Sequence, residues 1–262
     1  ALVEAAANII ASGAEPLAIT DCLNYGDPTD PEIFWELHQS VQGMADACRE
    51  FNTPVISGNV SLYNENNGQA IHPTPMVGMV GLIKNIDRVI PSFVQHPGDK
   101  VYLVGQTRDD YAGSELQKMM TGDISGIVKS FDLHHVHQYM QRLLTTMENG
   151  LVSSAHDLSE GGLGVALAET VFKTDLGLKI DLADQPATRL FSETPGRFIV
   201  TVAPKKATEF EQALGKDAHL IGEVTNSHWL MVKLANGKLN ESVAKLQKTW
   251  EEAIPCQLKS KD

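Results

Sequence analysis

The stretch that does most to define the fold of this 262-residue chain is PVISGNVSLYNENN, at residues 54–67. It begins as a buried β-strand and changes at once to small and polar residues, among them Gly58, Asn59 and Ser61. A hydrophobic strand that ends in hydrogen-bonding side chains is typical of α/β proteins, in which ligand groups gather at strand ends. A polar surface turn accounts for the same residues, so this stretch alone leaves both interpretations open.

Helix and strand patterns alternate on both sides of this stretch. Apolar residues recur at three- and four-residue steps in 31–51, which predicts an amphipathic helix with Pro31 in its first turn. Further helices are predicted at the opening residues and at 132–150, 159–172 and 239–252, and strands at 16–24, 54–62, 76–84, 100–106, 151–157, 196–204, 219–224 and 230–234. This order predicts a mixed α/β fold of two domains, residues 1–93 and 97–262, divided where prolines, a glycine and charges cluster.

The composition excludes several classes of protein. A net charge of −12 without any basic run argues against a nucleic-acid binder. Three separated cysteines (Cys22, Cys48 and Cys256) lack CxxC spacing, which argues against a zinc site or disulfides and predicts a reducing, cytoplasmic compartment. No apolar run approaches the roughly 20 residues that span a bilayer, so we expect no membrane contact. The chain opens within a helical pattern, with no N-cap residue and no initiator Met, and we therefore expect a piece of a longer protein.

Two predicted strands end in candidate ligand groups. Asp21 lies in the polar end of the strand at 16–24. A ligand contact and a place in a turn are about equally well supported for it. Gly58 permits close approach of a ligand to the backbone, or forms a simple bulge. The amide oxygen of Asn59 suits magnesium, and the hydroxyl of Ser61 suits a substrate.

A third polar cluster lies in SAHDLSEGGLGVALAE, residues 154–169. Asp157 ends a strand and could hold magnesium, and the N-terminus of the following helix offers free N–H groups to a phosphate. Capping by Ser159 is the simpler explanation of this pattern. Two consecutive glycines, Gly161 and Gly162, are costly at a helix start, and this favours a functional role.

The histidines fit a metal site less well. His134, His135 and His137 lie close in sequence, but no third ligand follows at metal spacing, so a solvated helix face is predicted. His156, beside Asp157, suits either acid–base chemistry or an orienting role. The sequence has no nucleophile elbow, P-loop or dinucleotide-binding glycine motif, so those enzyme classes lose their main support.

Five motifs, in order and spacing, carry a resemblance to a known family: TDCLNYGDP, ISGNVSLYNE, RDDYAGSEL, SAHDLSEGGLGVALAE and HLIGEV. They resemble the second half of the phosphoribosylformylglycinamidine synthases, in the small bacterial form of the synthetase subunit. The wider superfamily includes aminoimidazole ribonucleotide synthetase and selenophosphate synthetase. The resemblance covers essentially the whole chain. It implies an aminoimidazole ribonucleotide synthetase-like architecture, with an A-type sheet domain followed by a larger B-type α/β domain.

The resemblance implies an ATP-dependent carbon–nitrogen ligase of purine biosynthesis. Such enzymes convert formylglycinamide ribonucleotide and ammonia into the amidine, releasing ADP and phosphate, with ATP activating the amide oxygen as an iminophosphate. A glutaminase subunit supplies the ammonia, and a small third subunit bridges the assembly. The family's catalytic histidine lies in the first half, so the resemblance implies no catalytic residue here and an inactive chain without the missing N-terminal half.

The resemblance also implies roles for single residues. Asp21 matches an aspartate beside ATP, and Gly58 matches a glycine on the nucleotide. Asn59 matches a magnesium ligand, and Ser61 matches a substrate contact. Phosphoryl transfer relies on positioning and on neutralisation of charge by metal ions, which these residue types can supply.

A second set of residues resembles the auxiliary site at which larger family members hold magnesium and ADP: Glu4, Asn8, Asp157 and Ser159. Glu4 and Asn8 are four residues apart and therefore share one helix face. The segment FSETPGR, at 191–197, resembles a diverged copy of a substrate-binding segment, and no substrate contact is expected there.

Two other interpretations stay open. One is a structural module whose nucleotide site only stabilises an assembly, and the other is a different ATP-using member of the superfamily, such as selenophosphate synthetase. An A-type sheet left uncovered would favour self-association. We therefore expect the isolated chain to form a homodimer that mimics the lost contact between A-type domains.

Overall fold

The computed structural model describes the backbone of residues 1–259 and the side chains of residues 1–254. The helices are α1 (Leu2–Ala11), α2 (Pro31–Phe51), α3 (Glu115–Thr121), α4 (Leu133–Glu148), α5 (Gly162–Glu169), α6 (Ala207–Leu214) and α7 (Val243–Lys259). The strands are β1 (Glu15–Asn24), β2 (Val55–Ser61), β3 (Glu65–Asn66), β4 (Gln69–Ala70), β5 (Thr74–Leu82), β6 (Lys100–Val104), β7 (Val152–Asp157), β8 (Gly177–Leu182), β9 (Phe198–Val202), β10 (Ala218–Thr225), β11 (Trp229–Leu234) and β12 (Gly237–Ser242).

A small sheet of three strands has the order β2-β1-β5. β1 pairs with β2 in parallel and with β5 antiparallel. Alternation along β5 turns Val77 and Met79 toward the core, while Met76, Val80 and Leu82 stay about half exposed on the outer face. In the described part of the chain, the outer face of this sheet and the free edge of β2 therefore remain uncovered.

A larger sheet has the order β12-β11-β8-β10-β6-β9-β7. Neighbouring strands are antiparallel except for β8 and β11, which run in parallel. Side chains of β6 and β9 alternate between two cores, so Tyr102 and Val200 pack with α4 and α6, while Leu103 and Ile199 pack with α5. Helices thus cover the sheet on both faces.

Helix α1 joins the two sheets. Leu2, Ala6 and Ile10 are buried, and the helix contacts β1 and β5 of the small sheet together with β7 and α4 of the larger part. One hydrophobic core therefore runs across both predicted domains. The boundary at residues 93–97 stays a prediction.

Several predicted elements need correction. Residues 237–242 form β12 instead of the start of the last helix, because Leu239 packs on the second core and the strand pairs with β11. The sequence patterns missed β8. Helix α2 forms as predicted, but only Ala47 and Phe51 of its length are buried. In the first half of α2, Phe34 and Trp35 are more than half exposed, whereas Ile33 and Leu37 are half-buried.

Within residues 1–259, no helix combines the length and the apolar character that crossing a membrane requires.

Candidate functional site

Asp21 and Gly58 lie directly opposite each other on the parallel strands β1 and β2. A Cβ atom added at Gly58 would overlap Oδ1 of Asp21, so the carboxylate lies over the glycine. Burial raises the pKa of the Cys48 thiol on α2, and the charge of Asp21 contributes to that rise. Asp21 pairs with Val77 of β5, which packs on the same core as Cys48, so the Asp21 side chain lies on the α2 side of the sheet.

Asn59 and Ser61 lie on the opposite face of the small sheet. Consecutive strand residues point to opposite faces, and Asn59 pairs with Cys22 of β1, which places its Nδ2 3.9 Å from the Cys22 Sγ. The Ser61 hydroxyl donates to Oδ1 of Asn64 at 3.3 Å. The four residues expected around nucleotide, metal and substrate therefore form two pairs separated by the sheet.

The face that carries Asn59 has no opposite wall in the described part of this chain. Residues 55–60 of β2 are all exposed. Asn59 offers an amide oxygen that suits magnesium, but a bound ion there would need its remaining ligands from the substrate, from water or from another polypeptide.

The second predicted set does come together. Glu4, Asn8, Asp157 and Ser159 line one cavity of about 340 Å³ between α1, the end of β7 and α7. Nδ2 of Asn8 donates to Oε1 of Glu4 at 3.1 Å, as their four-residue spacing on α1 predicts. The rest of the lining consists of Ser92, Phe93, His156, Glu169, Phe172, Lys173, Trp250 and Glu251.

The electrostatics of this cavity suit a cation. Burial and the charge of Asp157 raise the pKa of Glu4, while hydrogen bonds from Ser159 and Asn8 partly oppose that rise. Two carboxylates that destabilise each other's charge gain from a divalent ion placed between them. Carboxylate and amide oxygens are the donors that Mg²⁺ prefers, so the residues present fit this ion.

The cation would not be fully coordinated by protein side chains. No group of three His, Cys, Asp or Glu side chains among the described residues is arranged to hold a metal. Magnesium usually retains waters and is bound through one or two carboxylates together with phosphate oxygens. A nucleotide complex of magnesium therefore suits this cavity better than a bare ion.

The N-terminus of α5 is closed by the chain itself. The N–H of Gly161 donates to Oε1 of Glu193 at 2.9 Å. A Cβ at Gly162 would overlap the carbonyl oxygen of Ser192 and lie 2.9 Å from that of Leu190. The glycine pair, with φ of +77° and +61°, is thus required by chain packing. The N–H of Gly161, one of the groups expected to face a phosphate, is thus bonded to a carboxylate.

Of the α4 histidines, His134 is exposed to solvent as predicted, whereas His135 and His137 are half-buried. His134 and His137 both contact Oε1 of Glu50 at the end of α2, through Nδ1 at 2.8 and 3.0 Å. The ring of His137 also packs on Phe51. His135 contacts the buried carboxylate of Asp217 at 2.9 Å. These histidines tie α4 to neighbouring elements. His156 lies 3.9 Å from Oδ1 of Asp157 and 3.6 Å from Glu169, on the cavity wall.

Sequence reasoning missed Glu193 and Arg197 in the segment 191–197. The guanidinium of Arg197 is fully buried and donates to the carbonyl oxygens of Ser192 and Thr194 and to Oγ1 of Thr107. Burial lowers its pKa to about 10. No spacing in the sequence marks these contacts, since Thr107 and Arg197 lie 90 residues apart.

The sequence matches two family models: AIR synthase related protein, N-terminal domain, over residues 1–83, and AIR synthase related protein, C-terminal domain, over residues 96–233. The chain therefore belongs to the AIR synthase-related proteins. The predicted fold class and architecture are confirmed.

The relatives point to a more particular protein. The phosphoribosylformylglycinamidine synthase subunit PurL of Limosilactobacillus reuteri is 97% identical over all 262 residues, and that of Limosilactobacillus fermentum is 72% identical. The chain spans 35% of the length of each of these relatives. The resemblance seen in the motifs is confirmed by this similarity.

Solved structures share the fold. T. maritima PurL complexed with FGAR superposes with a TM-score of 0.71 at 24% identity, over 94% of this chain and 44% of that chain. E. coli HypE, a hydrogenase maturation protein, gives a TM-score of 0.70 at 19% identity, over 92% of this chain and 77% of that chain. The architecture is therefore shared by proteins with different tasks.

Proposed function

We propose that this chain is the C-terminal half of an ATP-dependent formylglycinamidine ribonucleotide synthetase, a carbon–nitrogen ligase of purine biosynthesis. The observation that carries the proposal is the 97% identity over the whole chain to a phosphoribosylformylglycinamidine synthase subunit. The reaction would join ammonia to formylglycinamide ribonucleotide at the expense of ATP. T. maritima PurL has been solved in complexes with ATP and with FGAR, which supports these ligands for the assembled enzyme.

In this proposal the outer face of the small sheet, which carries Asn59 and Ser61, contributes one wall of the active site, and the opposite face carries Asp21 and Gly58. Asp21 and Gly58 contact ATP, Asn59 holds magnesium and Ser61 contacts the ribonucleotide. These roles need an opposite wall, because the face of Asn59 is open and the residues of β2 are exposed. The missing N-terminal half supplies that wall together with the catalytic residues, so the chain alone is inactive.

The cavity at Glu4, Asn8, Asp157 and Ser159 is the proposed auxiliary site for Mg²⁺ and ADP. When bound, the ion would neutralise the negative charge of the phosphates. Glu4 and Asp157 hold the ion, Asn8 orients Glu4, and the Ser159 hydroxyl donates to a phosphate oxygen. Unlike the small sheet, this cavity has walls from both ends of the chain, α1 and α7.

The proposed partners follow from the uncovered surfaces. They are the N-terminal half, a glutaminase subunit that supplies ammonia and a small bridging subunit. One solved T. maritima structure is named PurLQS, which is consistent with partner subunits. Without the other half, the half-exposed Met76, Val80 and Leu82 and the free edge of β2 would pair with a second copy. Sedimentation at micromolar concentration should therefore show a dimer, and a monomer would contradict this part of the proposal.

A structural nucleotide-binding module is the second candidate. It is favoured by the contrast between the walled cavity and the open small sheet, since a cavity lined by several elements of this chain could bind nucleotide without a partner. HypE shows that proteins of this fold have other activities, but at 19% identity the likeness supports the fold alone.

One experiment separates these candidates. The chain is mixed with its N-terminal half, and ADP release is measured with formylglycinamide ribonucleotide, ammonium, ATP and magnesium, with the chain alone as a control. Substrate-dependent ADP release in the mixture alone supports the ligase. Asn59→Ala should abolish it, whereas the exposed hairpin variant Asn66→Ala serves as a matched control. Full turnover by Asn59→Ala would overturn the role of Asn59 and favour the structural module.

A further inference from the structure

A single carboxylate oxygen joins two helix N-termini. Oε1 of Glu193 accepts the N–H of Gly161, just before α5, and the N–H of Glu115, the first residue of α3. Both distances are 2.9 Å. A negative charge is stabilised at a helix N-terminus by the free N–H groups and by the helix dipole, and here one charge serves two helices.

On one side, Glu193 is connected to the wall of the auxiliary cavity. Leu158 lies between the cavity residues Asp157 and Ser159, and its N–H donates to the carbonyl oxygen of Arg197 at 2.9 Å. Residues 190–192 pack directly on Gly162. The segment 190–197 therefore contacts the backbone of residues 157–162 at three places.

On the other side, the same segment is held to the loop at residues 107–110. Oγ1 of Thr194 donates to Oδ2 of Asp110 at 2.7 Å, and the Ser192 hydroxyl donates to the carbonyl oxygen of Arg108. The buried guanidinium of Arg197 bonds to Thr107. Because these contacts are buried or half-buried, the segment acts as a stiff connection.

Beyond this loop lies a flap, residues 111–131, which contains α3. Its apolar side chains are at least 64% exposed at five positions: Met119, Met120, Ile124, Ile127 and Val128. An element with so little buried apolar area opens locally at low free-energy cost. Hydrogen bonds from Arg108 and Lys129 hold the far end of the flap, and the N–H of Glu115 bonds the start of α3 to Glu193.

We propose that Glu193 is a positioning residue that couples the auxiliary cavity to the flap. A ligand held by Asp157 and Ser159 fixes the backbone that leads to Gly161, and this strengthens the contact that also anchors α3. By the reciprocity of coupled binding, an ordered flap tightens the cavity's hold on its ligand. We call the two hydrogen bonds from Glu115 and Gly161 to Glu193 the latch. The latch follows from the geometry alone, whereas the identity of the ligand rests on the proposed function.

The hydrogen bond from the N–H of Glu115 to Glu193 can be removed by a substitution that changes no residue of the cavity. Glu115 is the first residue of α3, where proline is well tolerated, and Ser114 before it has φ −76° and ψ 158°, a conformation that suits a following proline. Glu115→Pro thus deletes the N–H donor and keeps the helix. Glu193→Ala removes the acceptor from both helices, Glu193→Gln keeps an oxygen acceptor, and the exposed α6 variant Glu209→Ala is the matched control.

Trypsin cleavage after Lys118, an exposed flap residue, reports the position of α3 in the full 262-residue chain. Without ligand, Glu115→Pro and Glu193→Ala should be cleaved there about tenfold faster than the wild type, the factor expected for loss of one charge-assisted hydrogen bond. The cleavage rate of Glu193→Gln should lie between the rates of these two variants and that of the wild type, and the rate of Glu209→Ala should equal that of the wild type. Equal rates for Glu115→Pro and the wild type would overturn the latch, even if Glu193→Ala failed to fold.

Mg·ADP is then added, and its binding is measured by calorimetry. In the wild type, bound Mg·ADP should slow cleavage after Lys118, while Glu115→Pro should bind Mg·ADP and show no such protection. Binding without protection in the wild type would refute the coupling. Absence of Mg·ADP binding would refute the proposed ligand and with it the coupling to that ligand, while the cleavage rates without ligand still decide whether Glu193 anchors α3.

Discussion

The substitution Gly162→Ala tests why two glycines stand at the start of α5. At φ +61° an alanine pays the cost of left-handed backbone, about 1–2 kcal/mol. Its Cβ would also overlap the backbone oxygen of Ser192, which cannot rotate away as a side chain can. Overpacking of this kind adds about 1–3 kcal/mol, so the expected total loss in the free energy of unfolding is about 4 kcal/mol. At roughly 2–4 °C per kcal/mol, the melting temperature should fall by about 8–16 °C.

Gly98→Ala is the matched control for this measurement. Gly98 has φ +87° and no atom within 4 Å of an added Cβ, so only the backbone cost applies and the loss should stay near 1–2 kcal/mol. Both variants are compared with the wild type by thermal unfolding followed by circular dichroism. Equal losses would refute the packing argument. An unchanged melting temperature for Gly162→Ala with lost Mg·ADP binding would mean that the glycine serves a ligand.

Three further predictions concern single side chains. Because the pKa of Glu4 is raised, the folded state binds more protons than the unfolded state at pH values above the ordinary 4.5, so stability falls as the pH rises from 4.5. Urea unfolding of Glu4→Gln should therefore show a smaller loss of stability between pH 4.5 and 7 than that of the wild type. Gly58→Ala displaces the Asp21 carboxylate and should raise the KM for ATP of the reconstituted enzyme roughly tenfold to a hundredfold, and an unchanged KM would remove Asp21 from the nucleotide site. Arg197→Met leaves two buried carbonyl oxygens and the half-buried hydroxyl of Thr107 without this donor and should cost about 3–5 kcal/mol in urea unfolding. A loss below about 1 kcal/mol would show that the segment 191–197 does not depend on Arg197.

Local patterns in the sequence were enough to predict the mixed α/β class and the contact between Glu4 and Asn8. That contact follows from helix geometry, because residues four apart lie on one face of α1. The motifs around Asp21, Gly58 and Asp157 carried the family resemblance through their order and spacing; of the three residues, only Asp157 lies at the end of its strand, since β1 and β2 continue past Asp21 and Gly58. These inferences need only the spacing of neighbouring residues.

The arrangement in space was decided by the tertiary structure. Whether Asp21 and Asn59 share a face depends on which residues of β1 and β2 lie opposite each other, and pairing Asp21 with Gly58 turns Asn59 to the other side. The double glycine was interpreted as room for a ligand because the sequence does not reveal that Glu193, 32 residues away, closes the helix N-terminus. Such contacts depend on how distant segments pack against each other. The local spacing of residue types, by contrast, is present in the sequence and determines most of the helices and strands and the side-chain chemistry that they carry.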